Sequence, residues 1–297
     1  MHPSIGVVVP TRNRPGLLRR TLAAIAAQDY PGRVRVAVVY DQSPPDPSLD
    51  GVEVLTNTRA AGLAGARNTG VLALDTDLVA FCDDDDEWAP DKLTAQVAAM
   101  DPDCDVTTCA IEVRYGNRVV PRLAGVDHVH FADLVRSRMA MLHASTFLIR
   151  RAALLDPDRL GLVAEDAPGS QNEDWDLLLR AARRAPIRHL DRPLVRVRWG
   201  ATSHYAYEYA TKISSLRWMM ARHPEIRGCP PGAARVYGQL ACWSAATGNR
   251  AAALRYARAA VRNNWREPRT AIALAAVTRM VRIESVLAAL HRRGRGI

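Results

Sequence analysis

The sequence predicts an α/β chain: a mostly parallel central sheet with flanking helices, Rossmann-like, followed by an all-helical C-terminal extension. Two observations predict it. Over the first 120 residues, short continuous apolar runs alternate with stretches of helical period. Such runs are typical of strands buried on both faces, and strands separated by helices imply parallel pairing through right-handed crossovers. From Tyr205 onward the pattern turns helical without interruption by strand-like runs.

Ile5–Val9 is the first strand, a continuous apolar run. Pro15–Gln28 follows as an amphipathic helix with Leu17, Leu18, Leu22, Ile25 and Ala26 on one side. Val34–Tyr40 and Val52–Leu55 read as the second and third strands, Leu63–Leu74 as a short helix, and Leu78–Cys82 as the fourth strand. Pro90–Met100 is a helix with proline in its first turn. The middle third is less regular: Val106–Val113, Ser145–Ile149 and Leu194–Trp199 read as strands, and Glu173–Arg184 as a helix. Gly228–Gly232 is a breaker cluster and a candidate boundary. Helices are expected near Ala233–Thr247, Ala251–Asn263 and Thr270–Leu290, the first two resembling a single tetratricopeptide hairpin. The organisation expected is one unit over 1–204, made of two halves at 1–120 and 121–204. An Arg-rich helical extension occupies 205–297.

Composition narrows the function. The chain has 297 residues, 48% hydrophobic and 24% charged, ordinary for a globular protein. No apolar run approaches the ~20 residues a membrane span needs. Met1-His2-Pro3 leads directly into a strand, with no basic leader and no cleavage pattern, so a cytoplasmic location is expected. Five cysteines with no C-x-x-C pair argue against a disulfide framework or a zinc site. The net charge of +9 is concentrated: Ala233–Ile297 carries twelve Arg against Glu267 and Glu284, a balance of +10, leaving about −1 for the remainder. That tail offers a peripheral contact with the inner face of a membrane, a homodimer surface, or a solvated helix face. Nucleic-acid binding is not expected, because the Arg-rich segment lacks interleaved aromatic platforms and any recognisable module. The abundance of Ala and Arg suggests a GC-rich bacterial genome.

Chemistry-bearing residues fall at strand ends. Asp83-Asp84-Asp85-Asp86-Glu87 follows the fourth strand. Five adjacent acids repel one another, and carboxylates at the mouth of a buried strand suit a hard divalent cation shared with phosphate oxygens; an acidic turn capping the next helix is the simpler alternative. Asp41 ends the second strand, where it caps a turn or accepts the ring N–H of a nucleobase. Pro10-Thr11-Arg12-Asn13-Arg14 opens the first helix, and helix N-termini beside arginines suit nucleotides. Gly62-Leu-Ala-Gly65-Ala-Arg67-Asn68 is a second such entry, without P-loop spacing. Asn172-Glu173-Asp174-Trp175-Asp176 opens a helix, where acids complement the helix dipole or supply a general base. His128 and His130 read as surface residues, and no G-x-S-x-G elbow is present.

Taken in order, six segments resemble family-two glycosyltransferases, which have the A-type nucleotide-diphospho-sugar transferase fold. They are Val7–Arg14, Gln28–Pro31, Val39–Ser43, Gly65–Gly70, Phe81–Leu93 and Glu173–Asp176, and the match extends over about Ser4–Trp199. The resemblance implies a role for each motif position. Asp41 reads the base; Pro10, Thr11 and Arg14 line the nucleotide pocket; Arg67 lies near the nucleotide or its phosphates. The acidic run carries the D-x-D element, with Asp85 as metal ligand and Asp83 and Asp84 near the ribose or sugar. The four consecutive aspartates leave that register open by one residue. Asp174 is the catalytic base, with Glu173, Trp175 and His204 in an acceptor or donor loop. A divalent Mn or Mg ion is the implied cofactor.

The activity implied is inverting, metal-assisted transfer of one sugar from a nucleoside-diphosphate donor, UDP or dTDP by preference, to an acceptor hydroxyl. The acceptor is a glycan, a lipid-linked sugar or a natural product. A nucleotidyltransferase would carry a Gly-rich basic loop after the first strand, which Pro10-Thr11-Arg12-Asn13 is not. A non-catalytic nucleotide-binding scaffold is the remaining alternative, against which Asp41, Asp85 and Asp174 all stand.

Overall fold

A computed structural model describes residues 2–116, 118–198 and 208–291. One sheet organises it. Its strands are β1 (Ile5–Thr11), β2 (Val34–Tyr40), β3 (Glu53–Thr56), β4 (Leu78–Phe81), β5 (Glu87–Trp88), β6 (Val106–Tyr115), β7 (Arg118–Arg122), β8 (His128–Val129), β9 (Leu148–Arg150) and β10 (Ile187–Arg198). Their order is β3-β2-β1-β4-β9-β6-β10-β5, with β7 added to β6 and β8 to β10. The first four pair in parallel. Beyond β4 the sheet is mixed: β9 runs antiparallel to β4 and β6, whereas β10 is parallel to β6.

The parallel half forms as the apolar runs dictate. Every residue of β1 and β4 is buried, as expected of central strands with helices on both faces. Helices α1 (Pro15–Ala26) and α2 (Leu63–Ala73) supply the crossovers. Helix α2 lies so close to the sheet that a Cβ at Gly70 would come within 2.4 Å of the Val8 side chain. Thr11 is in register with Tyr40, and Val8 with Phe81, which brings the carboxyl ends of β1, β2 and β4 to one edge. Ligands of open α/β sheets bind beyond that edge.

Several elements differ from expectation, each for a local reason. Residues 144–146 form a single 3-10 turn before β9 rather than part of a strand. The turn leaves the Ser145 carbonyl to accept from the Trp88 indole at 3.1 Å. Strand β10 starts seven residues before the expected Leu194, and its Pro193 sits at a register shift, where a missing N–H does no harm. Helix α3 is Lys92–Ala99. The expected helix over Thr270–Leu290 divides into α11 (Pro268–Val277) and α12 (Ile283–His291), because Arg279 takes a left-handed conformation with φ 64°. Strands β7 and β8 and helices α4 (Phe131–Arg136) and α5 (Arg151–Leu155) had no periodic signal.

The remaining helices are α6 (Glu173–Arg184), α7 (Tyr209–Arg222), α8 (Glu225–Gly228), α9 (Pro230–Ala246) and α10 (Arg250–Asn263). They share a core with the sheet: Leu216, Met219, Ile226, Val236 and Leu240 join the same buried cluster as Val8, Phe81 and Trp175. The breaker cluster Gly228–Gly232 serves this docking, since Pro230 and Pro231 lie in the first turn of α9 and a Cβ at Gly232 would come within 2.2 Å of the Val135 carbonyl oxygen. Small residues let α10 approach α9, with Ala253, Ala257 and Ala260 buried. All five cysteines are free thiols. Among the described residues no helix is long and apolar enough to cross a membrane.

Candidate active site

The acidic run turns back on itself at the end of β4, with the Asp86 amide donating to the Asp83 carbonyl at 3.1 Å. The four aspartates point to different partners. Asp83 accepts from the Arg67 guanidinium at 2.7 Å, and its own amide donates to the Ser145 hydroxyl at 2.9 Å. Asp84 accepts from the Thr11 hydroxyl at 2.7 Å and lies 3.2 Å from Arg14. Asp86, almost wholly buried, accepts from Ser145 Oγ at 2.6 Å and faces His143 Nδ1 at 3.3 Å. Asp85 has one protein contact in the cluster, Arg14 at 3.2 Å.

Burial and crowding divide these groups electrostatically. Asp85 is pushed up to about 7 by burial and then by Asp86, Asp83 and Asp84, with Arg14 opposing. Asp84 is raised by burial, against its bonds to Thr11 and Arg14. Asp83 goes the other way: burial is outweighed by Arg67 and His143. His143 rises to about 9, burial being overcome by Asp86 and Asp83, so the imidazolium is an internal counter-ion to the run. A carboxylate raised by its neighbours is one that a cation would stabilise in its charged form.

Arg67 joins the two acidic clusters. It is 2% exposed, lies with its guanidinium carbon 5.6 Å from the centre of the Phe81 ring, and donates to Asp83 at 2.7 Å and to Glu173 at 2.5 Å. Its place in α2 follows from the motif, because the small residues around it let the helix bury Ala64–Val71 on every side. Flanked by two carboxylates, the guanidinium is raised above its usual range despite burial.

Glu173 and Asp174 open α6. Glu173 is raised by burial and by Asp174, with Arg67 opposing. Asp174 stays charged: burial would raise it, but Arg138, which donates to both of its oxygens at 3.1 and 2.8 Å, holds it below the usual carboxylate range. The Trp175 amide also donates to Asp174, at 2.7 Å. Trp175 itself is a core residue, 3% exposed, its indole donating to the Leu134 carbonyl at 3.0 Å. The next acid, Asp176, is fully buried and accepts from Arg180 at 2.9 Å, Arg222 at 2.7 Å and His223 at 2.8 Å.

The position expected to read the base lies at the end of β2. Asp41 is buried and accepts from Asn57 at 2.8 Å and from Gln42 at 3.1 Å. Pro10 and Thr11 end the neighbouring β1. The sequence motifs at Pro10–Arg14, Arg67, Asp83–Asp86 and Glu173–Asp174 are therefore connected by direct contacts, and Asp41 stands on the same edge. His204 lies outside the described residues. His143, Ser145 and Arg138 carried no spacing signal, and Asp176 stood out only as one of the acids that open α6. His128 and His130 stand apart from the site, His128 beside Asp127 and His130 capping α4.

Two donor sets could hold a cation. Asp83, Asp86 and His143 each offer an atom within 4.8 Å of the others. Asp85, the expected ligand, is outside that cluster but is the carboxylate with fewest short protein bonds. A cavity of about 490 Å³ lies elsewhere, against Asp77, Leu78 and Arg150 at the amino end of β4.

The family model for glycosyl transferase family 2 matches residues 6–156, half of the chain, and covers β1 through the acidic run to α5. The chain belongs to glycosyl transferase family 2. Its relatives include the succinoglycan biosynthesis protein ExoW of Rhizobium meliloti, 40% identical over 114 residues, which covers 33% of this chain and 35% of ExoW. The amylovoran biosynthesis glycosyltransferase AmsB of Erwinia amylovora is 26% identical over 200 residues, 60% of this chain and 64% of AmsB. Both matches span less than two thirds of those relatives' lengths. Among solved structures, Staphylococcus aureus TarS 1–349 in complex with UDP-GlcNAc has a TM-score of 0.60 at 19% identity, covering 98% of this chain and 92% of that one. The mannosyltransferase PcManGT of Pyrobaculum calidifontis, in complex with GDP-Man and Mn2+, has a TM-score of 0.53 at 21% identity, covering 97% and 79%. At these identities the likeness establishes the fold, the A-type transferase architecture expected from the motifs.

Proposed function

We propose that this family 2 member transfers one sugar from a nucleoside-diphosphate donor to an acceptor hydroxyl, with inversion at the anomeric carbon. The observation that carries the reading is the Arg67 bridge, which sets the acidic run and the Glu173–Asp174 pair against each other at the carboxyl edge of the sheet. Asp41 accepts a ring N–H of the base, a uracil or thymine by preference, and Pro10, Thr11 and Arg14 line the nucleotide. Similar folds in complex with UDP-GlcNAc and with GDP-Man support a nucleotide-sugar donor.

A divalent Mn or Mg ion fits the acidic run. Asp85 would hold it, because Asp83, Asp84 and Asp86 each accept a protein bond of 2.6–2.7 Å, whereas Asp85 has only Arg14. The raised Asp85 carboxyl is what binding would relieve, and hard divalent ions favour oxygen ligands over the imidazolium-bearing Asp83–Asp86–His143 set. When bound, the ion would supply Lewis-acid stabilisation to the departing diphosphate.

Asp174, ionised and aimed by Arg138, takes the proton of the acceptor hydroxyl. The acceptor oxygen then forms its bond to C1 as the C1–O bond to the diphosphate breaks. A single displacement with no protein nucleophile inverts the configuration. The donor half is 1–120 and the acceptor half 121–204; the helical extension from 205 braces the base through α7. A peripheral membrane contact or a homodimer through that extension remains compatible with its charge, and the acceptor is a glycan, a lipid-linked sugar or a natural product.

The test is thermal shift with UDP, dTDP, GDP, CDP and ADP, with and without Mn2+. One nucleotide should raise the melting temperature in a metal-dependent way, following RT ln(1 + [L]/Kd). Asp85→Asn should abolish the metal dependence, whereas His143→Gln should retain it. Metal dependence lost in His143→Gln and kept in Asp85→Asn would assign the ion to the other cluster. No shift with any nucleotide would refute the donor reading.

A further inference from the structure

Helix α10 buries one side and leaves the other open to solvent. Ala253, Ala257 and Ala260 are the buried side. The outer side carries Leu254, Arg255, Arg258, Val261 and Arg262, all exposed and spaced so that they share one helix face. Just past the end of the helix, Trp265 is 73% exposed, with the Arg266 guanidinium carbon 4.8 Å from its ring centre. The turn between α11 and α12 repeats this mixture: Met280, 80% exposed, and Val281 stand between Arg279 and Arg282.

The charge on this face has one sign. Arg250–Arg266 contains five arginines and no acid. The two acids that follow, Glu267 and Glu284, face Arg269 at 2.6 Å and Arg282 at 3.7 Å. Arg258 and Arg262 form no ion pair among the described residues. A solvated arginine face has no need of leucine, valine and tryptophan between its charges, because apolar surface left in water forgoes the free energy of burial. An isologous contact through this face would set like charges against each other, so a dimer would have to use another face of the extension. A nucleic acid would neutralise the arginines and leave Leu254 and Val261 without a role, since strand binding rests on phosphate contacts and aromatic stacking.

An anionic bilayer surface satisfies both kinds of side chain. Lipid phosphates take the guanidinium groups, whose apolar stems allow them to snorkel, while the interleaved apolar side chains enter the boundary between headgroups and acyl chains. Tryptophan favours that boundary. We propose that the face of α10 from Leu254 to Trp265 docks the protein on an anionic phospholipid bilayer. The contact is peripheral, because no described helix is long and apolar enough to cross a membrane.

The experiment is co-sedimentation of the full chain with vesicles of phosphatidylcholine, and of phosphatidylcholine mixed with phosphatidylglycerol, at low and high salt. The mixed vesicles should bind the protein, less so at high salt, and phosphatidylcholine alone should bind it weakly. Replacing Arg255, Arg258 and Arg262 together by glutamine should weaken partitioning roughly a hundredfold, at about fivefold for each charge near an anionic surface. Trp265→Ser should weaken it about tenfold, as expected for one partly buried aromatic side chain. Replacing Arg20, Arg33 and Arg227 by glutamine removes the same charge from exposed positions on other elements and should leave most of the binding in place. Every substituted side chain is exposed, so unfolding does not confound the comparison. The proposal is overturned by no binding to the mixed vesicles at low salt, by unchanged binding in either the α10 triple variant or Trp265→Ser, or by an equal loss in the control triple variant. A dimer in sedimentation equilibrium that Trp265→Ser dissociates, or tighter binding to duplex DNA than to the vesicles, would assign the face to another partner and overturn it too. The contact needs neither nucleotide nor metal, so a chain that never transfers a sugar would still sediment with the vesicles, and the two readings fail separately.

Discussion

Replacing Asp176 by asparagine keeps the shape of a fully buried side chain and removes its charge, while Arg180, Arg222 and His223 stay around it. In the folded protein its carboxyl is lowered to about 2 from an ordinary 3.8: burial opposes this, and His223, Arg180 and Arg222 overcome it. A displacement of that size is linked to about 2 kcal/mol of stability. Losing one partner of a buried pair costs about 3–5 kcal/mol when the remaining charges stay desolvated. Arg222 is 40% exposed, so water recovers part of its loss, and we expect Asp176→Asn to cost about 2–3 kcal/mol at neutral pH. Because the folded carboxyl titrates below the unfolded one, its stabilisation is complete above about pH 4 and disappears as pH falls toward 2. Urea denaturation of both proteins at pH 7, 5, 4 and 3, followed by far-ultraviolet circular dichroism, measures this. The gap should be constant from pH 7 to 5 and about halved by pH 3. A variant within about 0.5 kcal/mol of wild type at pH 7, or a gap that does not narrow with acid, would refute the account.

Further outcomes follow from the site. Asp174→Asn should retain nucleotide binding in the thermal-shift assay and lose transfer; a variant with wild-type turnover would remove Asp174 as the base. Arg138→Gln removes the cation that lowers Asp174, so the acid limb of the kcat/KM profile should move to higher pH, and an unmoved limb would show that Asp174 is not the titrating base. Asp41→Asn presents an amide to the base and should weaken donor binding about tenfold, or ~1.4 kcal/mol, read as the donor KM. Gly70→Ala drives a methyl group against Val8 and should cost about 1–3 kcal/mol, read as a lower melting temperature, unless α2 can shift outward.

The parallel half of the fold was legible because its physics is local. Ile5–Val9 and Leu78–Cys82 are apolar without alternation, and strands buried on both faces have no other reading. The motifs at Asp83–Asp86, Arg67 and Glu173–Asp174 were legible for a related reason: charges at the ends of such strands and helices have no structural need to be so dense. What could not be read depends on long-range contact. Ser145 looked like the start of a strand, yet its hydroxyl bridges Asp83 and Asp86, 62 and 59 residues away. Arg138 and His143 lie in a stretch without period, and only the folded chain brings them to Asp174 and Asp86. Asp176 looked like one more acid in a helix cap, where sequence alone cannot distinguish a capping carboxylate from a buried anchor.

That anchor bears on how the helical extension relates to the chemistry. The segment before α6 is irregular: Gly169, Ser170 and Asn172 all have positive φ, and Asn172 leads directly into Glu173 and Asp174. Such a backbone persists only if its surroundings over-determine it. Helix α7 does so at two points. Ser215 accepts from Asn172 at 2.6 Å and donates to the Gln171 carbonyl at 2.5 Å, while Arg222 and His223 take Asp176 one turn further along. Between these two fixings stand Glu173 and Asp174, so the position of the proposed base is set from the extension as much as from the sheet. Ser215→Ala, which removes one fixing and leaves the other, should therefore lower kcat with little change in donor KM. A reduced melting temperature with unchanged kcat would instead limit α7 to a packing role.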